Sequence, residues 1–376
     1  MNLSQLSRES GFSFLVRNFA AQDDRFRSAF AILGKAIATH AFPGCSLAVT
    51  LGGELVAYKA LGRFTYDPAS PEVTTASIFD LASLTKVVAT TAMAMILYER
   101  GLLDIEAPVN AIVPEFADDD AIRCGVPLRM LLIHTSGLPA YEKLFLRVQT
   151  REALLQAAFV TPLAAAPGTR AEYSDIGFII LGIVLERLAD ESLDVFCQRE
   201  IFGPLGMTHT TFNPVPALKQ SIPPTADDRT FHHRIIQGEV QDENASVLGG
   251  VAGHAGLFST SEDLAIFAHA MLNGGHPILR PSTIELFSRR QSAPEGTSRA
   301  LGWDTPSTPS QSGKYFSPRS FGHLGYTGTS LWIDPDRQLS ITLLTNRTWP
   351  DCQSPAIKQV RPAFHDAIVE SLGKND

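Results

Sequence analysis

No stretch of this chain concentrates positive charge. Its 376 residues carry a formal net charge of −8 at pH 7, and without a basic run the chain lacks the electrostatic footprint of a nucleic-acid partner. Charged residues are scarce at 19%, against 44% apolar residues, a balance that excludes a disordered chain and indicates a globular one. Long apolar runs are missing as well. The longest candidate, "IGFIILGIVL" at 176–185, is about half the length of a membrane span, so no membrane partner is expected. The opening "MNLSQLSRESGFSFLVRNF" has no basic region followed by an apolar core, and the expectation is a cytoplasmic protein without a secretory signal. Four cysteines, Cys45, Cys124, Cys197 and Cys352, are scattered, and no pair has metal-ligand spacing. Three sit among apolar residues, where a reduced, buried thiol is expected. His232 and His233 are adjacent and there is no H-E-x-x-H, so neither a metal nor a cofactor is expected.

What is present is periodic pattern at both ends. Phe26, Phe30, Leu33 and Ile37 share one helical face. "CSLAVTLGGELVAYKALG" (45–62) alternates, turns at Gly52-Gly53 and resumes alternation, which predicts a hairpin. "TSLWIDPDRQLSITLLTN" (329–346) predicts a second hairpin turning at Asp334-Pro335-Asp336. A last amphipathic helix is expected over 356–372, with Pro362 kinking it or marking a restart. Between the ends, helices are expected over 86–100, 150–158, 176–190, 261–272 and 281–290. These elements predict an α/β fold of the α+β type: an antiparallel sheet flanked by terminal helices, plus a large helical region. Residues 1–80 and 291–376 would form the sheet domain and 81–290 the helical one, with a site in the cleft between them.

Three constellations carry chemistry. In "FDLASLTKVVATTAMAMILYERG" (79–101), Ser83 and Lys86 stand three residues apart at the expected start of a helix. On a helix that spacing leaves about 5–6 Å between Cβ atoms, within reach of an ammonium and a hydroxyl. A serine hydroxyl needs a neighbouring base to become a nucleophile, and burial pushes a lysine toward its neutral form. A capping box would place Glu or Gln at 86. The same S-x-x-K pattern recurs at Ser371–Lys374 in a tail expected to fray. Next, Tyr173-Ser174-Asp175 precedes an apolar helix. It reads either as an Asp175 cap beside a packed tyrosine, or as a phenol that relays protons. Finally, His323-Leu324-Gly325 leads into a late strand, and glycines 325 and 328 let a substrate lie against the strand edge. His254-Ala255-Gly256 has the same H-x-G shape ahead of a helix and is read as a loop around the site. His254 there is either pocket-lining or held in a structural hydrogen bond. His134 is read as a loop-locking histidine, and Asp242-Glu243-Asn244 as a solvated turn.

In this order the three motifs resemble the serine β-lactamase and penicillin-binding protein superfamily, on its class C-like branch with the related family VIII-type esterases and D-peptidases. The resemblance spans roughly residues 40 to 372. It includes "PLRMLLIHTSGLP" (127–139), "IFGPLGMTHTTF" (201–212) and "GGVAGHAGLFSTSEDLAIF" (249–267). It implies a covalent acyl-enzyme on Ser83, assistance from Lys86, and Tyr173 as general base. It places the backbone N–H groups of Ser83 and Tyr326 in an oxyanion hole, and Asp175, His323, Gly325 and His254 at the substrate. Other serine-hydrolase designs fit poorly: there is no G-x-S-x-G elbow and no S-D-N triplet.

Two departures bear on substrate. The strand motif K-T-G of the family's lactamases stands here as His323-Leu324-Gly325. Histidine is mostly neutral at pH 7 and leucine makes no hydrogen bond. Losing a charge-assisted hydrogen bond costs about 1.5–3 kcal/mol, roughly ten- to hundredfold in recognition of a carboxylate. The usual Asn of the tyrosine motif is Asp175, which accepts hydrogen bonds only and is placed to pair with Lys86. Thr327, Thr329 or an arginine from elsewhere would have to restore carboxylate binding. The sequence therefore favours a carboxylesterase on small neutral esters. A β-lactamase or D-Ala-D-Ala carboxypeptidase is the alternative, and a catalytically inactive penicillin-binding sensor the second alternative. In each case the partner is a small-molecule ester or amide.

Overall fold

The computed structural model describes residues 16–117 and 120–373. Both terminal hairpins form and join in one six-stranded sheet. Its strands are β1 (Val16–Arg17), β2 (Gly44–Leu51), β3 (Glu54–Gly62), β4 (Phe321–Leu324), β5 (Ser330–Asp334) and β6 (Leu339–Thr345), in the order β1-β3-β2-β6-β5-β4. The two halves of the chain meet at the β2–β6 pair, where Leu47 faces Leu343 and Val49 faces Ile341. All the pairings are antiparallel except β1 with β3.

The alternation read in the sequence has a physical counterpart on each face. Cys45, Leu47, Val49, Ile341, Leu343 and Trp332 bury against two terminal helices, α1 (Arg27–Ala38) and a final helix Ile357–Leu372 that keeps Pro362 inside it. The opposite, polar-looking face is covered too. A helix over Ser261–Leu272 lies on it with Ala265 against Ala48, and Ser46 Oγ and Ser261 Oγ are 2.8 Å apart. Small residues on this face let the helix approach closely. The same helix reaches the core of the helical region through Leu264, Phe267 and Ala268, so residues 261–272, expected within 81–290, bridge the two regions.

The larger core lies within the helical region and extends to the sheet through Phe321, Leu331, Ile333 and Leu344. It centres on the helix Asp175–Ala189, where Ile176, Phe178, Ile179, Ile180, Leu181, Val184 and Leu185 are all buried. A helix apolar all round is an interior helix, and truncating a side chain such as Phe178 to Ala costs about 3–5 kcal/mol. Among the described residues no helix is long and apolar enough to cross a membrane. Of the four cysteines, Cys45 and Cys197 are buried; Cys124, ending the short helix Ala121–Cys124, is exposed and Cys352 intermediate.

Candidate active site

A short strand, Phe79–Asp80, delivers the chain to Ser83. The sequence predicts an α-helix opening there. Instead a 3₁₀ turn (Ala82–Leu84) and a π-helical turn (Lys86–Thr91) precede the α-helix Ala92–Glu99. Two causes are visible. Ala82 takes a left-handed φ of 47°, held by its N–H donating to Asp80 Oδ1 at 2.8 Å. The β-branched run Val87, Val88, Thr90, Thr91 then weakens regular α-helix.

The folded turn brings the first two constellations together. Lys86 is completely buried, and its Nζ donates to Ser83 Oγ at 2.9 Å, Asp175 Oδ1 at 2.6 Å and the His254 carbonyl at 2.9 Å. Three acceptors match the three N–H bonds of an ammonium. Burial pulls the Lys86 pKa below its ordinary value, while the Asp175 carboxylate opposes that pull. Tyr173 donates its O–H to Ser83 Oγ at 2.7 Å. Burial, and then the Asp175 charge, push this phenol well above its usual range, against smaller opposing effects of Ser83 and Arg299. A resting phenolate is therefore disfavoured, which argues against Tyr173 as the resting base. Asp175 does not cap its helix. Ser174 does, its Oγ accepting from Gly177 N at 3.0 Å, which frees Asp175 for Lys86. His134 locks this loop: its Nδ1 accepts from Ser174 N at 3.0 Å and its ring lies 4.8 Å from that of Tyr173.

The third constellation forms the facing wall. His323, at the end of β4, is buried and 5.9 Å ring to ring from Tyr173. Its Nδ1 lies 2.8 Å from the Leu324 carbonyl, so Nδ1 carries the proton, and Nε2 has no hydrogen-bond partner among the described residues. Burial, reinforced by Lys86 and Arg299, pulls the imidazole down to about 3. His323 thus presents a neutral acceptor on this wall. Gly325 is required by close approach: a Cβ there would stand 2.4 Å from the Leu81 carbonyl oxygen. Thr327 and Thr329 do not face substrate. They are buried, donating to the carbonyls of Asp80 at 2.8 Å and Leu81 at 3.0 Å. The side chain of Tyr326 is half exposed, under the guanidinium of Arg347.

A cleft of about 950 Å³ joins the two walls and includes Ser83, Tyr173, Asp175, His254, His323, Leu324, Gly325 and Tyr326 in its lining. Sequence reasoning missed several of its residues. Arg299 lies 5.6 Å over the Tyr173 ring, and its ionic neighbour Asp304 is 3.8 Å away. Arg361, in the final helix, donates to the carbonyls of Gly325, Gly328 and Thr329 and so fixes the turn carrying Tyr326. No spacing signal marks either arginine. The expected solvated turn at 242–244 is also corrected. Asp242 and Glu243 line the cleft, and Asn244 is fully buried, accepting from Phe145 N and donating to the Glu142 carbonyl. His254 fits both of its readings, lining the cleft while its Nε2 bonds Asp242 Oδ1 at 2.8 Å. Of the second S-x-x-K, Ser371 Oγ donates to the Ala367 carbonyl, and Lys374 lies outside the described residues. No group of three or more metal-ligating side chains occurs among the described residues.

Comparison with known proteins fits this architecture. The family described as Beta-lactamase matches residues 18–359. A Salmonella agona protein named "Putative D-alanyl-D-alanine carboxypeptidase" is 34% identical over 358 residues, covering 84% of this chain and 81% of that protein. Among solved structures, EstCE1, a hydrolase with promiscuous acyltransferase activity, superposes with a TM-score of 0.76 at 20% identity, over 93% of this chain and all of that one. The octameric penicillin-binding protein homologue from Pyrococcus abyssi gives a TM-score of 0.71 at 22% identity, over 92% of this chain and 77% of its own. The chain thus belongs to the beta-lactamase family and is an enzyme of the β-lactamase, esterase and penicillin-binding protein superfamily of serine hydrolases.

Proposed function

We propose that this enzyme is a serine acyl hydrolase of the D-alanyl-D-alanine carboxypeptidase kind, cleaving a small peptide-like amide whose leaving group carries a carboxylate. The observation that carries the reading is Arg299. The preference for neutral esters rested on the missing cation of the strand motif, and a guanidinium now stands in the cleft beside Tyr173. Its planar fork is suited to a carboxylate, and Asp304, at 3.8 Å, is too distant to occupy it with a close hydrogen bond. The relationship at 34% identity supports the same substrate class.

In the proposed reaction Ser83 Oγ attacks the acyl carbon. Before attack Lys86 Nζ releases a proton to Asp175 Oδ1, and the neutral amine turns its lone pair to Ser83 and takes the Oγ proton as the new bond forms, so lysine is cationic again beside the developing oxyanion. The backbone N–H groups of Ser83 and Tyr326 receive that oxyanion. The leaving nitrogen takes the Tyr173 phenol proton, and protonated Asp175 restores it, so the serine proton ends on the departing amine. Water then repeats the sequence against the acyl-enzyme.

A second reading, ester hydrolysis, is favoured by the apolar part of the wall (Tyr141, Phe145, Leu146, Leu324) and by neutral His323. Turnover of diacetyl-Lys-D-Ala-D-Ala, p-nitrophenyl butyrate and the cephalosporin nitrocefin by wild type and Ser83→Ala separates the two. Release of D-alanine, lost in the mutant, is expected. Ester turnover with no D-alanine release would replace the peptidase reading with the esterase one.

A further inference from the structure

Two carboxylates that the proposed reaction does not use stand at the site, Asp80 behind it and Asp242 in the cleft lining. Asp80 is 2% exposed, and each of its oxygens accepts one backbone N–H: Oδ1 from Ala82 and Oδ2 from Gln241, both at 2.8 Å. Gln241 is followed by Asp242, whose Oδ1 accepts from Ala245 N and pairs with His254 Nε2, both at 2.8 Å. The His254 carbonyl takes the third N–H of Lys86. Hydrogen bonds joined by short stretches of chain therefore lead from the residue before the serine, through Gln241, Asp242 and His254 in the cleft wall, to the lysine.

Both ends of that run need external support. Ala82 holds a left-handed φ of 47°, which a residue with a Cβ adopts only at a cost. The loop bearing His254 crosses the helix Asp175–Ala189 where a Cβ at Gly253 would stand 2.1 Å from the Phe178 carbonyl oxygen. Backbone contact that close sets the height of the His254 carbonyl over Lys86, and the Asp242–His254 bond sets its rotation. An uncompensated buried carboxylate is expensive, and Asp80 is offset only by two backbone donors. An alanine or a leucine would fill the space more cheaply but would release both N–H groups.

We infer that Asp80 and Asp242 are positioning residues that hold Ser83 and Lys86 in register through the strap Asp80–Gln241–Asp242–His254. Neither touches substrate; each acts on geometry through another residue. The inference rests on Ser83 being the nucleophile but not on the substrate class.

The test is the rate of covalent labelling by an alkyl fluorophosphonate, alongside kcat and KM for p-nitrophenyl acetate, on wild type, Ser83→Ala, Asp80→Asn, Asp242→Leu and the double variant. Asp80→Asn leaves one of two backbone donors without an acceptor, and Asp242→Leu releases both Ala245 N and His254 Nε2; thermal unfolding verifies the fold of each. Asp80→Asn and Asp242→Leu are each expected to slow labelling and kcat about tenfold with KM within twofold. The double variant should be little slower than the worse single one, because residues acting as one unit are non-additive. Labelling of Ser83→Ala at the wild-type rate would remove the nucleophile assignment itself. Loss of labelling in Ser83→Ala, together with wild-type labelling of both folded single variants, would leave the nucleophile standing and overturn the strap. If one variant does not fold, the other decides.

Discussion

The two walls of the cleft are built to different rules. On the Ser83 wall polar groups are tied to one another: Lys86 spends three N–H bonds on three acceptors, Tyr173 donates to Ser83, and His134 locks the loop beneath. On the strand wall His323 leaves Nε2 without a partner among the described residues, Leu324 offers no polar group, and Tyr326 is half exposed. Chemistry needs reacting atoms held within a few tenths of an ångström. Recognition can be moved to another element, and in the proposed function it falls to Arg299, from a loop that neither wall supplies. The comparison teaches that the reacting groups of this cleft are tied to one another, whereas its strand wall leaves room for a binding group from elsewhere.

Substitutions on the tied wall should have the largest effects. Ser83→Ala should abolish acyl-enzyme formation, read by mass spectrometry of the trapped protein; an adduct on that variant would break the comparison at its root. Asp175→Asn should lower kcat about 100-fold, because it removes the carboxylate that takes the Lys86 proton while leaving a hydrogen bond to Lys86. Near-normal kcat in this variant would return the base role to Tyr173. On the open wall effects should be small. His323→Gln keeps a neutral acceptor and should change kcat/KM less than threefold between pH 6 and 8, since burial holds His323 neutral down to about pH 3. An acid limb that vanishes in the variant would show that His323 titrates in that range.

The smallest effect concerns stability. Burial raises Asp80 from 3.8 to about 6, opposed by its two backbone donors and reinforced by Asp242. A folded-state pKa above the unfolded one means that the folded state binds more protons in that window. Stability from this group is full below about pH 4 and is lost as pH rises through about 6. Asparagine does not titrate. The Tm of Asp80→Asn minus that of wild type should therefore climb from pH 4.5 to 7; a flat difference would place the Asp80 pKa near its ordinary value.

Much of this fold was legible because it is written in local periods. Leu47, Val49, Leu339, Ile341 and Leu343 announce strands by alternation, and the all-apolar helix after Asp175 announces itself by composition. Ser83, Lys86 and Tyr173 were legible because each motif sits within four residues of chain. The Asp175–Lys86 pair followed from charge alone. Arg299 carries no such mark: it stands in a Ser-, Gly- and Pro-containing loop, and only the fold of distant segments brings it over Tyr173. Asp242 and Asn244 read as solvated because polar triplets usually are, yet Asn244 is buried and Asp242 partly so, each held by a cap or backbone bond. Thr327 and Thr329 looked available for substrate and proved to be committed to Asp80 and Leu81. What a short sequence window cannot show is which polar groups are already satisfied by distant partners.

The central claim is that Arg299 reads a carboxylate on the leaving group. The direct measurement is kcat/KM of wild type and Arg299→Gln on diacetyl-Lys-D-Ala-D-Ala and on the same peptide ending in a carboxamide. Wild type should prefer the free acid by about tenfold or more, the worth of a charge-assisted hydrogen bond, and Arg299→Gln should lose that preference through KM. Equal rates on acid and amide in wild type, or a preference that survives in Arg299→Gln, would contradict the account.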